Sequence, residues 1–509
     1  MKRQYRNQVV PLGSTIVPAS FGTGTEVVSR RLRINLTTVD YDRPGGPTEA
    51  GGAGPGLVEV MADSEDRWLL ETEQEAQLNL HTMLELCAAG GIKASEKTFR
   101  ASAATVESIT EHLVNGDFYD GEPIAAFAWP LLLQAGGLAT VEKGRLQLTQ
   151  KGRSALTRPA AETIRLLWQR WVTHGLIDEF NRIEQIKGQR AANVLTAVKP
   201  RREMVARALN RCPVGEWLDV DKLFMTMRRG RMSPTIARGE RALWKLYLED
   251  PEHGSLGYDG FHKWELLQGR YTLAVLFEYA GTLGLIDLDY IDPVGARDDF
   301  QDNWGGEELG ALSRYDGLLA IRLNALGAYV AGQTDTYQPS TANTPRVQLK
   351  VLPNLDIVAT GTLPAADRLM LSAFAEQSGD HVWTVSAASL LAGLDAGRDL
   401  AEFSAFLTER AEHELPSTLT SLVDDVRRRA GQLTDLGQAR LIACADAAVA
   451  TLIARDRNLR SLCRPIGDRH LAIAADQDLK FRKALLKLGY TLANPPASPD
   501  SVLDLKTEE

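Results

Sequence analysis

Carboxylates cluster where Asp298-Asp299 is followed by Asp302, with Glu307 and Glu308 close behind. Acids at that spacing could hold a magnesium ion for phosphodiester cleavage, which is the chemistry of a metal-dependent nuclease. Spare acids in a polar loop are more often just solvated, and these would repel a phosphate backbone. Asp424-Asp425 is a second acidic pair, on a segment of helical period beside Arg427-Arg428-Arg429, where local ion pairing accounts for it. The eight histidines are scattered. His413 lies in Glu412-His413-Glu414 and His262 between Phe261 and Lys263, neither with a second ligand at metal spacing. Cys87, Cys212, Cys444 and Cys463 make no zinc pair and no CxxC motif, so they read as reduced thiols of a cytoplasmic protein. No catalytic residue, metal site or cofactor is expected from these groups.

A nucleotide motor needs a glycine loop whose amides hold phosphate, followed by Lys and Ser/Thr. The sequence has no Gly-Lys dipeptide and no DEAH-like box. Basic residues are the remaining candidates. The whole chain carries a net charge of -9, which excludes a protein that coats nucleic acid over its entire surface. Residues 182–245 run against that balance, with about nine more positive than negative side chains. Lys199-Pro200-Arg201-Arg202 and Arg228-Arg229-Gly230-Arg231 are the densest points and flank a helix expected over 219–227. Lys199, Arg201, Arg202, Arg228, Arg229 and Arg231 are therefore the candidate DNA-phosphate contacts. For either run alone, a solvated and salt-bridged surface is the competing account.

The elements that would carry these residues can be read from periodicity. The 509 residues allow about three domains. Residues 1–70 read as an arm, partly flexible, with short strands within 9–20 and 27–39 and a Gly/Pro-rich stretch at 44–56. Residues 71–160 read as a winged helix. Three helices come first, the second capped by Ser102. A hairpin turning at Glu142-Lys143-Gly144 follows, and a helix opens at Thr149. The third helix would enter the major groove in a DNA reader. Here it holds Phe127, Trp129, Pro130, Leu131 and Leu132 and no Lys or Arg. A helix apolar all round is buried, so Phe127, Trp129, Leu131 and Leu132 are expected to bind protein instead. Residues 161–200 read as a long helical connector, and 201–332 as a second winged helix with the basic region. That second module has a helix over 264–281, a strand from Leu285, an acidic wing tip over 291–306 and a return strand over 320–323.

Residues 333–345 are polar and read as a linker. Beyond them come a strand broken at Pro353-Asn354, a helix opening near Pro364, a helix capped by Ser386, and two more helices around Phe403 and Val423. A small alternating unit ends the pattern. It has strands at 440–444, 470–474 and from Tyr490, helices at 447–454 and 478–488, and an extended piece at 462–466. Residues 495–509 form a polar tail. No apolar run is long enough to span a bilayer.

Val351-Leu352-Pro353-Asn354-Leu355-Asp356-Ile357, Ser389-Leu390-Leu391-Ala392-Gly393-Leu394-Asp395-Ala396-Gly397 and Leu415-Pro416-Ser417-Thr418-Leu419 form one hydrophobic framework with its turn residues. With Val423-Asp424-Asp425-Val426, the arginines after it and Gly431, the framework resembles the helicase-associated domain of bacterial XPB-like proteins over 346–494. The upstream modules are similar in layout to the winged-helix subunit that clamps XPB inside TFIIH. The resemblance implies work beside a superfamily-two helicase or ATPase, in the same chain or a partner chain. The expected fold is mainly α with small β elements: tandem winged helices plus a C-terminal α/β helicase-associated domain. The expected function is a non-catalytic, DNA-associated adaptor in repair or phage defence. A purely structural scaffold and an undetected nuclease are the alternatives.

Overall fold

The computed structural model describes residues 31–34, 67–250, 252–257, 263–340, 348–430, 432 and 438–493. The expected strand at 9–20, the Gly/Pro-rich stretch, His262 and the tail from 495 lie outside them. The described chain is mixed α/β with small sheets. It divides into two compact units, Met1–Asp424 and Asp425–Glu509, and the 346–494 region crosses that division.

In the first unit, β1 (Arg31–Ile34) and β2 (Arg67–Leu70) precede two stretches that follow the same path. The first stretch runs through α1 (Glu73–Ala88), α2 (Ala103–His112), α3 (Ala125–Ala135), β3 (Ala139–Glu142), β4 (Arg145–Leu148) and α4 (Gln150–Ala155). Between α1 and α2 a short extended piece pairs with β4: Leu146 N–H donates to the Ile92 carbonyl at 2.8 Å and Ala94 N–H to that of Gly144 at 3.0 Å. Lys143 and Gly144 both take positive φ, the conformation a two-residue hairpin turn demands. Ser102 caps α2, accepting from Thr105 N–H. The start of α3 is capped from further away. The buried Asp117 carboxylate accepts from the backbone N–H groups of Ile124, Ala125 and Ala126 at 3.1, 2.9 and 2.8 Å. Pro130 lies inside α3, which continues to Ala135.

Thr149 caps α4, and the hairpin closes tightly onto that helix. A Cβ on Gly152 would lie 2.0 Å from the Leu138 carbonyl oxygen. Gly152→Ala is expected to cost about 1–3 kcal/mol in urea unfolding, because the backbone contact cannot yield as a flexible side chain would.

The helical connector is shorter than its sequence suggests. α5 (Ala160–Thr173) stops early, and the helical structure of residues 174–197 is a 3-10 turn at Glu179–Arg182, with isolated bridges from Lys187 to Tyr247 and from Leu195 to Ala237. Asp178 accepts from Phe180 N–H at 3.1 Å, a local bond that competes with helix continuation. The second stretch is α6 (Val198–Leu209), β5 (Trp217–Asp219), α7 (Val220–Arg229), the short α8 (Glu240–Leu243) and a third long helix. Its middle is α9 (Arg270–Ala274), with π-type turns at Glu265–Gly269 and Val275–Gly281. Then come β6 (Ile286–Tyr290), β7 (Leu318–Leu323) and α10 (Ala325–Ala331). Here too the strand between the first two helices pairs with the returning strand of the later hairpin, Leu218 opposite Ile321. β2 adds onto β6, giving a five-stranded sheet in the order β1-β2-β6-β7-β5. One continuous core runs from Leu70 to Val330, and α3 and the α9 helix are both buried in it.

The rest of the unit is β8 (Leu349–Val351), β9 (Asp356–Ala359), α11 (Ala365–Phe374), β10 (Ala375–Gly379), β11 (Val382–Val385), α12 (Ala387–Asp395) and α13 (Leu400–Arg410). α14 (Ser417–Ala430) runs past its boundary. The sheet order is β10-β11-β9-β8. Ser386 forms a full capping box with Ser389 on α12. α11 packs on α1, and Arg398 reaches the Glu85 carboxylate of α1 at 2.6 Å.

The second unit holds β12 (Ala439–Ala443), α15 (Ala447–Arg455), β13 (Arg464–Ile466), β14 (His470–Ala474) and α16 (Asp478–Lys487), with strand order β12-β14-β13. Ile453, Leu471, Ile473, Phe481 and Leu485 fill its core. The strand expected from Tyr490 does not form. Tyr490 N–H instead donates back to the Leu485 carbonyl at 3.1 Å and Gly489 takes φ +88, so these residues close α16.

Candidate nucleic-acid interface

The six candidate phosphate contacts do not share one surface. Arg201 and Arg202 lie on the inner face of α6 and are each 1% exposed. Arg202 pairs with the fully buried Glu179, also donates to the carbonyls of Trp171 and Ile177, and lies 4.1 Å over the Trp171 ring. Arg201 pairs with Asp178 and lies 4.9 Å from the Tyr271 ring. Neither can reach a phosphate, which corrects the expectation for both. Asp178, Glu179 and nearby backbone carbonyls meet these guanidiniums inside, leaving Arg201 Nη1 and Arg202 Nε without a hydrogen-bond partner among the described residues. Burial still pushes the Glu179 carboxyl up from its ordinary range, against the pull of Arg202.

The four residues expected to bind another protein are also placed within the chain. Trp129, Leu131 and Leu132 are 0–2% exposed in the chain's own core, so they offer nothing to a partner. Phe127 is half-buried, with the Arg182 guanidinium 3.7 Å over its ring. That guanidinium donates to Glu278 at 2.9 and 3.0 Å and to the Pro123 carbonyl at 3.2 Å. Glu278 also accepts from the Tyr315 hydroxyl. Arg182 therefore pins the start of α3 to the α9 helix. The apolar third helix is covered from within the chain, by α2 and α5 and by the α9 helix of the second stretch.

Lys199, Arg228, Arg229 and Arg231 remain exposed. Lys199 sits near the start of α6, 3.8 Å from Glu203, and about 15 Å by helix rise from the other end of that helix. The other three surround the end of α7. Arg211, which lies in neither charge run, joins them: a Cβ on Gly230 would come 3.4 Å from its Nη1. Nothing in its sequence neighbourhood marks it, because its position depends on how α6 meets α7. Arg207 and Lys222 are exposed on the same two helices. Cations at the carbonyl end of a helix are favoured by its dipole, so the cluster is stable without a ligand. Arg228 is partly spoken for, at 2.9 Å from Glu265.

A polar cleft of about 610 Å³ opens beside this cluster, lined by both charges, among them Arg67, Asp221, Arg228, Asp289, Arg297 and Asp298. Its acids are largely paired. Asp289 takes Arg67, and Asp221 takes Arg297 at 3.0 Å. Asp299 takes the buried Arg270 at 2.6 and 2.7 Å, while Asp302 takes Lys263 at 3.0 Å. Of the acids that a nuclease would need, Asp299 is thus held by the buried Arg270, Asp302 is exposed beside Lys263, and Asp298 lines the cleft. Among the described residues no group of three or more His, Cys, Asp or Glu is arranged to hold a metal ion.

Residues 349–464 match the helicase conserved C-terminal domain. The match begins at β8 and ends on the first residue of β13. A helicase-associated C-terminal domain thus follows the two stretches, the second of which carries the basic residues. No curated protein matches the chain. No helix among the described residues is long and apolar enough to cross a membrane.

Proposed function

We propose that this protein is a non-catalytic, cytoplasmic adaptor for a superfamily-two helicase or ATPase in DNA repair or phage defence, and that it touches DNA through phosphates alone. The observation that carries the proposal is a helicase-type C-terminal domain on a chain without a phosphate-binding glycine loop. Its XPB-like character rests on the framework residues from Val351 to Gly431. The two upstream stretches are taken as winged helices. Each has a helix, a short strand, two longer helices (with the short α8 between them in the second) and a hairpin whose returning strand accepts the early strand. Both third helices are buried, which leaves no recognition helix for a major groove. Contact is left to the exposed turn of Arg211, Arg228, Arg229 and Arg231, with Lys199 and Arg207 beyond it.

The triple variant Arg228→Glu, Arg229→Glu, Arg231→Glu tests the DNA contact by fluorescence anisotropy on duplex, forked and single-stranded DNA. It should weaken binding on all three and shallow the log-log salt slope by about 2–3, since each phosphate contact contributes roughly 0.9. Unchanged affinity and slope would remove the DNA half of the proposal. The burial of both third helices favours a second reading, a protein scaffold that meets no nucleic acid, and that result would select it. Nucleotide turnover by the pure chain would overturn the adaptor role itself.

A further inference from the structure

The outer face of α16 leaves apolar side chains in water. Leu479 is 74% exposed and Leu486 63%, whereas Phe481 and Leu485 of the same helix fill the core. Leu479, Lys483 and Leu486 follow one another at spacings of four and three residues, so they form a single stripe. Exposed Lys480 and Lys487 flank it. Asp478, the one acid of the helix, is turned to Arg440 and Arg482 at 2.9–3.0 Å. Solvated lysines are ordinary on a helix, but two leucines at this exposure between three lysines suit an acidic, leucine-bearing segment.

The chain carries such a segment next to this helix in sequence. Residues 500–509 read Asp500-Ser501-Val502-Leu503-Asp504-Leu505-Lys506-Thr507-Glu508-Glu509, with three apolar side chains and four acids against one base. We propose that residues 500–509 dock in cis on the Leu479–Lys483–Leu486 face of α16. Val502, Leu503 and Leu505 then cover the leucines, and the acids meet Lys480, Lys483 and Lys487. The reach is sufficient. Residues 494–499 span about 20 Å when extended, and α16 is about 15 Å long. A connection this short holds the segment at millimolar effective concentration, so a weak contact is enough to keep the face covered.

The test uses the full chain, a chain ending at Pro499, and a fluorescent peptide of residues 500–509. The peptide should bind the shortened chain and bind the full chain at least tenfold more weakly, because the tethered copy competes. Lys480→Glu with Lys483→Glu and Lys487→Glu in the shortened chain should abolish binding, with the unfolding midpoint unchanged because all three are exposed. Carbodiimide coupling of the full chain should join these lysines to Asp504, Glu508 or Glu509 within one molecule. Equal peptide binding to both chains, or none to either, overturns the proposal. Cross-links that form only between heavy- and light-isotope copies would assign the face to a second molecule. A short oligonucleotide that binds the shortened chain while the peptide does not would assign it to phosphate. Each of these outcomes also overturns docking in cis and leaves the helicase-adaptor role untouched.

Discussion

Arg202→Ala is expected to lower the unfolding free energy by about 3–5 kcal/mol, because it leaves a buried carboxylate without its cation. Glu179 is fully buried, its Oε2 meets the Tyr271 hydroxyl at 3.3 Å, and Arg202 is its only basic partner among the described ion pairs. The loss should appear in urea denaturation followed by tryptophan fluorescence, since Trp171 lies directly beneath the guanidinium. Lys199→Ala, three residues earlier and exposed, should shift stability by less than about 0.5 kcal/mol. Arg202→Met with Glu179→Leu should recover most of the loss, because an apolar pair of similar volume is close to neutral at such a site. A stable Arg202→Ala protein with weakened DNA binding would return Arg202 to the phosphate-binding surface and require α6 to sit differently.

The Arg202 case separates what this sequence reveals from what it conceals. Local signals were legible. Lys143-Gly144 between two alternating runs gives the β3–β4 hairpin, Ser386 marks the start of α12, and the β14–α16 alternation falls within a residue or two of its expected place. The burial of α3 also follows from its uniform apolarity, although the sequence does not say that the covering surface belongs to the same chain. Partners distant in sequence were illegible. Whether Arg201 and Arg202 face water depends on Asp178 and Glu179, and those became available because residues 174–197 did not continue the helix. β2 pairs with β6 across more than two hundred residues, and β5 with β7 across about a hundred, so neither partner could be read from a local period. Arg211 belongs to the basic cluster for the same reason. The charge runs marked six basic residues, and the inward face of an amphipathic helix removed two of them from the surface.

The same physics predicts where the helicase-type domain is held. Arg398 and Glu85 are each 5% exposed in side chain, and their ion pair joins the segment after α12 to α1. Glu402 lies 3.5 Å from Arg398 Nε, and Arg410 holds Asp367 at 3.0 Å nearby, so acids surround this guanidinium. Burial pushes the Glu85 carboxyl above its ordinary range, and Glu402 and Asp367 push it further, while Arg398 pulls it down. Arg398→Ala removes that pull and is expected to cost about 3–5 kcal/mol at pH 8. A carboxyl whose pKa is raised on folding binds its proton more tightly in the native state. Its contribution to stability is fully present below the unfolded pKa and is lost as pH rises through the folded one. The penalty for Arg398→Ala should therefore be smaller at pH 5 than at pH 8, and Glu85→Gln in the same chain should flatten that dependence. Urea titrations at the two pH values measure both effects. A penalty equal at pH 5 and pH 8 would mean that Glu85 reaches solvent once Arg398 is gone. The contact between α1 and residues 349–424 would then be a loose one, and the helicase-type domain could be moved against the first stretch at little cost.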